Sequence, residues 1–200
     1  MALTFSKIRK YVRDKFKMAG YYTGFNIVMP PHVIKQKAIA DYQLSSGIRV
    51  LVETGTFLGD MLAAQRSNFD LLFSIELSPE LFQKAVRRFE GDPNIKLFLG
   101  DSSLKLEEIV AGLNDRAIFW LDGHYSGGIT AKGNKNCPVN EELDVILKSP
   151  YRHIVLIDDA RLFDGTDDFP TVREIESKFK EAGKTIELSV RNDIIRILYV

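Results

Sequence analysis

From Gly47 onward the chain alternates short apolar runs with amphipathic segments in a regular order, and this alternation limits the folds open to it. Apolar stretches at 49–53, 71–76, 96–99, 117–122 and 153–158 each end on or just before a polar residue. Between them, Asp60 to Gln65, the stretch after Ser78, Leu104 to Ala111, Glu141 to Leu147 and Val172 to Lys180 carry apolar residues three and four apart. That is the pattern of βαβ units, in which buried parallel strands are joined by helices on both faces. "SPELFQKAVRRFEG" carries its own punctuation: Ser78 as N-cap, Pro79 at the first helical position and Gly91 just past the end. A further helix is expected over 31–44. "TIELSV" and "IIRILYV" are separated by only Arg191, Asn192 and Asp193, too short a gap for a crossover helix, so they must pair antiparallel. The expectation is an α/β chain: a Rossmann-like doubly wound sheet, mostly parallel, closed by a C-terminal antiparallel hairpin. A helical cap (1–46) precedes the core (47–200), and the whole reads as one domain.

In such a sheet the carboxyl ends of the strands lie along one edge, and ligands bind where the strand order reverses. The first strand runs into "VETGTFLGD", which lacks the third glycine of a dinucleotide fingerprint and places Glu53 and Asp60 where a pyrophosphate would sit. Like charges in a poorly hydrated turn repel, so NAD is disfavoured. A ligand with an ammonium, a carboxylate and a ribose reverses the sign. Glu53 would help hold the amine, and free backbone N–H groups near Gly55 would take the carboxylate. S-adenosylmethionine is such a ligand. Glu76, at the end of the second strand, stands close to the ~20-residue interval at which an acid meets ribose hydroxyls. Asp101 and Ser102 in "GDSS" either border an adenine or cap the helix that follows.

These residues resemble the class I S-adenosylmethionine-dependent methyltransferases. The likeness rests on E-x-G-x-x-x-G at Glu53, Gly55 and Gly59, on Glu76, on "GDSS" and on the closing hairpin. It implies the seven-stranded methyltransferase fold, with Glu53, Thr54, Gly55, Thr56 and Gly59 around the methionine part of the cofactor. Glu76 with Leu77 would lie at the ribose and Asp101 with Ser102 at the adenine, while Asp122 would also touch the cofactor.

"FWLDGHYSGG" and "VLIDDARLFDG" bring Asp122, His124, Asp158 and Asp159 to neighbouring strand ends. Three carboxylates there require a cation, and hard oxygen donors suit Mg²⁺ or Mn²⁺. Charge-neutral packing or simple capping is the alternative. The arrangement is similar to that of metal-dependent O-methyltransferases of the catechol and antibiotic-sugar types. That resemblance implies Asp122, Asp158 and Asp159 as ligands; beside them His124 is the candidate base, and Asp122 and His124 are the expected catalytic pair. The chain departs from the catechol pattern by having Asp158–Asp159 where that type has Asp then Asn, and Gly123–His124–Tyr125 where it has a lysine. The glycine-rich 124–138 stretch reads as a lid or as an ordinary loop, with Tyr125, Lys132 and Lys135 able to touch an acceptor. Cys137, His32 and His153 read as structural.

Lys plus Arg and Asp plus Glu both total 27, so no net field draws the chain to nucleic acid and a small polar ligand fits better; the resemblance of the acid cluster implies a small-molecule or sugar hydroxyl as acceptor. One cysteine and the lack of a signal-like apolar segment fit a cytoplasmic protein. The basic amphipathic N-terminus describes either a helix packed on the domain or one touching a membrane surface, and an apolar side there would serve a homodimer. Two other functions compete with methyl transfer: a metal-dependent hydrolase built on the Asp/His cluster, and a noncatalytic nucleoside-binding module.

Overall fold

The computed structural model describes residues 5–23, 29–124 and 136–200, with side chains of the first helix described from Val12 onward. Two helices, α1 (Phe5–Tyr22) and α2 (His32–Ser46), precede an alternating core. The core runs β1 (Val50–Thr54), α3 (Asp60–Gln65), β2 (Leu71–Glu76), α4 (Pro79–Arg88), β3 (Ile95–Leu99), α5 (Ser102–Ala111), β4 (Ile118–Leu121), α6 (Val139–Leu147) and β5 (Ile154–Ile157). A short 3₁₀ turn (Ala160–Leu162), α7 (Val172–Glu181), β6 (Ile186–Arg191) and β7 (Ile194–Tyr199) complete it. The helices expected from Leu104 and Glu141 begin two residues earlier, at Ser102 and Val139, because Asp101 caps the first and Pro138 opens the second.

The seven strands are ordered β3-β2-β1-β4-β5-β7-β6, with β7 antiparallel to both neighbours and all other pairs parallel. The sequence therefore leaves β1 in one direction toward β2 and β3, and in the other toward β4 and β5. The crevice between β1 and β4 is the switch point. The hairpin turns at Asn192 and Asp193, both with positive φ, the conformation that a two-residue turn matched to strand twist requires.

Both faces of the sheet are covered, and the period-two alternation of strands shows in which side chains go where. Leu51, Leu72, Trp120 and Leu156 pack toward α2, α3 and α4 with Ile39 and Leu62. Val52, Phe119 and Val155 pack toward α5, α6 and α7 with Leu106, Leu143, Ile146 and Phe179. Local sequence agrees with this packing at the helix starts. Ser78 accepts from Leu81 N ahead of Pro79, and Thr171 with Glu174 forms a reciprocal capping box. The register then sets the site: Thr54 pairs with Ile75 and Leu121, and Leu121 with Ile157. Gly55, Glu76, Asp122 and Asp158, each the next residue along, thus share one level at the carboxyl edge.

Candidate functional site at the carboxyl edge of the sheet

Gly55 follows β1 with φ +85, and a Cβ there would lie 2.3 Å from the backbone oxygen of Asp122. Only glycine lets the β1 turn and the end of β4 approach this closely. Gly59 has φ +76, and a side chain would strike the Phe89 ring at 2.6 Å, so this glycine serves the packing of α3 against α4. Several backbone N–H groups near Gly55 bond within the fold. Those of Gly55 and Thr56 donate to Ile75 O, that of Phe57 to Glu76 Oε2, and that of Gly59 to Thr56 O. Four N–H groups of the turn are thus committed within the fold.

Glu53 is buried and accepts from Ser74 Oγ at 2.6 Å, and the Ser74 hydroxyl also meets Thr56 Oγ1 at 2.6 Å. Burial pushes its carboxyl up to about 8, against the pull of the Ser74 hydrogen bond, and the charge of Glu76 adds to the rise. At neutral pH Glu53 is mostly a protonated, hydrogen-bonded acid. Glu76 is also buried, and its two oxygens accept from the backbone of Phe57 and Ser78, each at 2.8 Å. A carboxylate has about four acceptor directions, so lone pairs remain for diol hydroxyls at this strand end. Asp101 caps α5, accepting from Ser103 N at 2.9 Å and Ser103 Oγ at 2.6 Å.

The acids of β4 and β5 meet a cation supplied by the protein. Lys35, reaching in from α2, places Nζ 2.5 Å from Asp158 Oδ2 and 3.0 Å from Asp159 Oδ1. Asp158 Oδ1 accepts from Asp159 N at 2.8 Å, Asp159 Oδ1 also accepts from Arg161 at 2.9 Å, and Asp159 Oδ2 faces His124 Nε2 at 3.1 Å. Asp159 holds this position with φ +54, a left-handed conformation that costs a non-glycine residue about 1 kcal/mol or more. Burial raises the carboxyls of Asp122 and Asp158, with each other's or Asp159's charge adding to the rise. Burial acts the same way on Asp159, but its bonds to His124, Arg161 and Lys35 outweigh it and hold that carboxyl far below the usual range. Burial lowers Lys35, and the adjacent Asp158 and Asp159 more than reverse this, so the ammonium stays charged.

His124 is buried between two acids, with Nε2 on Asp159 and Nδ1 3.7 Å from Asp122 Oδ1, and its ring stands edge-on to Phe169. An ionised carboxylate only accepts, so Nε2 meets Asp159 as the donor. The donor set does not fit a divalent ion. All four oxygens of Asp158 and Asp159 already face protein donors, and among the described residues no group of three His, Cys, Asp or Glu side chains is disposed to hold a metal.

Two site residues escape the sequence reading. Lys35 is one. The other is Glu142, in the first turn of α6, which is fully buried beside Gly123 with no hydrogen-bond partner in good geometry for either carboxylate oxygen. Burial pushes it up to about 7, moderated by the nearby hydroxyls of Ser102 and Thr54. Both residues share one signal. Lys35 lies on the stripe of Ala38 and Ile39, and Glu142 on that of Val139, Leu143 and Ile146. A charged residue on the apolar face of a helix must be buried, and must be paired or functional.

The expected residues come together in one electrostatic neighbourhood. Glu76 acts on Glu53, Glu53 on Asp122, and Asp122 on Lys35, while Asp101 and His124 both act on Glu142. Asp60 departs from its expected place: it pairs with Arg88 on the outer side of α3, at 2.8 Å. His153 lies in the core, accepting from Ala117 N through Nδ1 and meeting Ser149 Oγ at 2.7 Å. Tyr125, Lys132 and Lys135 of the expected lid lie outside the described residues.

No protein-family model and no curated protein sequence matches the chain. Solved structures do. The O-methyltransferase TomG from Streptomyces achromogenes, involved in tomaymycin synthesis and solved with S-adenosylmethionine, aligns with TM-score 0.58 at 17% identity, over 93% of this chain and 87% of its own. An O-methyltransferase from Bacillus cereus solved with S-adenosylhomocysteine aligns with TM-score 0.57 at 14% identity, over 94% and 90%. The 23S rRNA methyltransferase ErmE aligns with TM-score 0.50 at 16% identity, over 82% and 68%. The chain shares the fold of these solved methyltransferases.

Proposed function

We propose that this chain transfers the methyl group of S-adenosylmethionine to a hydroxyl of a small molecule or sugar. The observation that carries the reading is His124, held between Asp159 and Asp122 at the end of β4, beside the switch point where this fold receives its ligand. The similar O-methyltransferases, solved with S-adenosylmethionine or its product, support the donor. The near-zero net charge argues against an RNA acceptor of the kind named for ErmE.

In this reading Glu76, followed by Leu77, receives the ribose hydroxyls, and Asp101 and Ser102 border the adenine. Glu53, Thr54, Gly55, Thr56 and Gly59 form the turn under the methionine part, and Asp122 faces the sulfonium. Glu76, an acceptor at the end of β2, suits ribose hydroxyls and would repel a phosphate. The acceptor O–H gives its proton to His124 Nδ1 as its oxygen attacks the methyl carbon, and the S–CH₃ electron pair returns to sulfur. Asp159, on Nε2–H, fixes the tautomer and stabilises the imidazolium that forms. Asp122, Asp158 and Asp159 are the expected ligands of Mg²⁺ or Mn²⁺, but the oxygens of Asp158 and Asp159 face Lys35, Arg161, His124 and backbone, and no step here runs through a metal. The hydrolase alternative needs that metal and loses ground for the same reason. Membrane contact through α1, where Val12 and Phe16 stand exposed, and a homodimer lie outside this reading. Among the described residues no helix is long and apolar enough to cross a membrane.

The test is transfer of labelled methyl from S-adenosylmethionine to a panel of sugars and hydroxylated small molecules. His124→Asn is expected to lower kcat by roughly 10²–10⁴ while leaving S-adenosylhomocysteine affinity unchanged. Labelling that is indifferent to His124→Asn would remove the assigned base, and a failure to bind the donor at all would end the reading.

A further inference from the structure

We infer that Lys35 is the resident cation of the acidic edge, standing where a divalent ion is expected, so that Asp122, Asp158 and Asp159 bind neither Mg²⁺ nor Mn²⁺ in the native protein. The contacts are those of a completed site. One ammonium bridges carboxylates of two consecutive residues, at 2.5 and 3.0 Å, with its side chain only 14% exposed. Asp122 is close enough to act on it electrostatically. The Asp159 backbone and His124 take the remaining oxygens of Asp158 and Asp159, and Arg161 shares Asp159 Oδ1 with Lys35.

The placement of Lys35 also runs against local preference. It sits near the N-terminus of α2, where the helix dipole disfavours a positive charge, and that first turn carries no acid to offset it. It lies on the buried stripe of a helix anchored by Ile34, Ala38 and Ile39. A lysine held in an apolar stripe at the unfavourable end of a helix needs a strong external reason, and here the partners are acids 123 and 124 positions away in sequence. A metal would have to expel a buried, doubly paired ammonium from a helix fixed in the core.

The catalytic consequence, methyl transfer without a divalent ion, rests on the reading proposed above. The binding claim stands or falls alone. It is tested on the full chain, stripped with chelator and gel-filtered, by calorimetric titration with MgCl₂ and MnCl₂ and by thermal melts with each salt. Wild type is expected to show no saturable binding at millimolar ion. Lys35→Met, which keeps length and removes charge, is expected to melt lower, to bind one Mn²⁺ per chain and to recover several degrees of Tm with it. One Mn²⁺ per wild-type chain at micromolar affinity would overturn the inference, as would a folded Lys35→Met that ignores Mn²⁺. Should Lys35→Met fail to fold, the wild-type titration decides: silence supports the lysine and stoichiometric binding refutes it. S-adenosylhomocysteine binding, measured on the same preparation in chelator, reports the donor separately. Its loss beside a silent Mn²⁺ titration would sink methyl transfer and leave Lys35 in place.

Discussion

Glu142 offers the sharpest test of the electrostatics at this site, because replacing it with Gln keeps the shape and removes the ionisation. Burial holds the folded-state carboxyl at about 7, well above its ordinary 4.5. The folded chain therefore keeps a proton that the unfolded chain releases. Stability is lost as pH rises from about 4.5, and the loss levels off above about 7. At roughly 1.4 kcal/mol per pH unit, the full difference is about 3 kcal/mol, an order-of-magnitude figure for a group with no good hydrogen-bond partner. Urea unfolding of wild type and Glu142→Gln at pH 5, 6, 7 and 8 reads it directly. The variant should gain on wild type across this range: little at pH 5, most of the ~3 kcal/mol by pH 7, and no further slope at pH 8. A difference that does not change with pH would refute the reasoning, since it would mean that Glu142 titrates alike in both states.

Three further outcomes follow from the same structure. Gly55→Ala must adopt φ +85 and place a Cβ 2.3 Å from Asp122 O, so it should cost about 1–3 kcal/mol from backbone conformation alone and weaken S-adenosylhomocysteine binding by displacing the end of β4. Denaturation and calorimetry check both. Glu76→Gln leaves one acceptor oxygen for the backbone donors of Phe57 and Ser78, and should weaken S-adenosylhomocysteine roughly tenfold or more. His153, buried and lowered to about 4 by desolvation, takes up a proton in the unfolded chain first. Relative to His153→Gln, wild type should lose up to about 3 kcal/mol as pH falls from about 6.5 to about 4, measured by urea midpoints.

The parallel core was legible in the sequence because every strand is short, apolar and ended by a polar residue, and the hairpin because no helix fits between Val190 and Ile194. The edge residues Glu53, Glu76, Asp101, Asp122 and Asp158 were legible for the same reason: strand ends in a parallel sheet share one rim. Spacing along the chain does not reveal what those groups meet across the fold. Glu53 reads as an anion until Ser74 and burial are in place, and the acids of β4 and β5 read as a metal site until α2 delivers Lys35. The charged interruptions of apolar stripes at Lys35 and Glu142 were the available signals. Each was hidden by a bland alternative: a surface lysine in one case, a first-turn acid favoured by the helix dipole in the other.

The central claim, that this acidic edge receives a cationic nucleoside donor, is tested most directly by a crystal structure of the chain with S-adenosylhomocysteine. The account predicts ribose hydroxyls on Glu76, the sulfur beside Asp122 and His124, and Lys35 still bridging Asp158 and Asp159. A ligand bound away from the crevice between β1 and β4, or a divalent ion on the aspartates with Lys35 swung out, would contradict it.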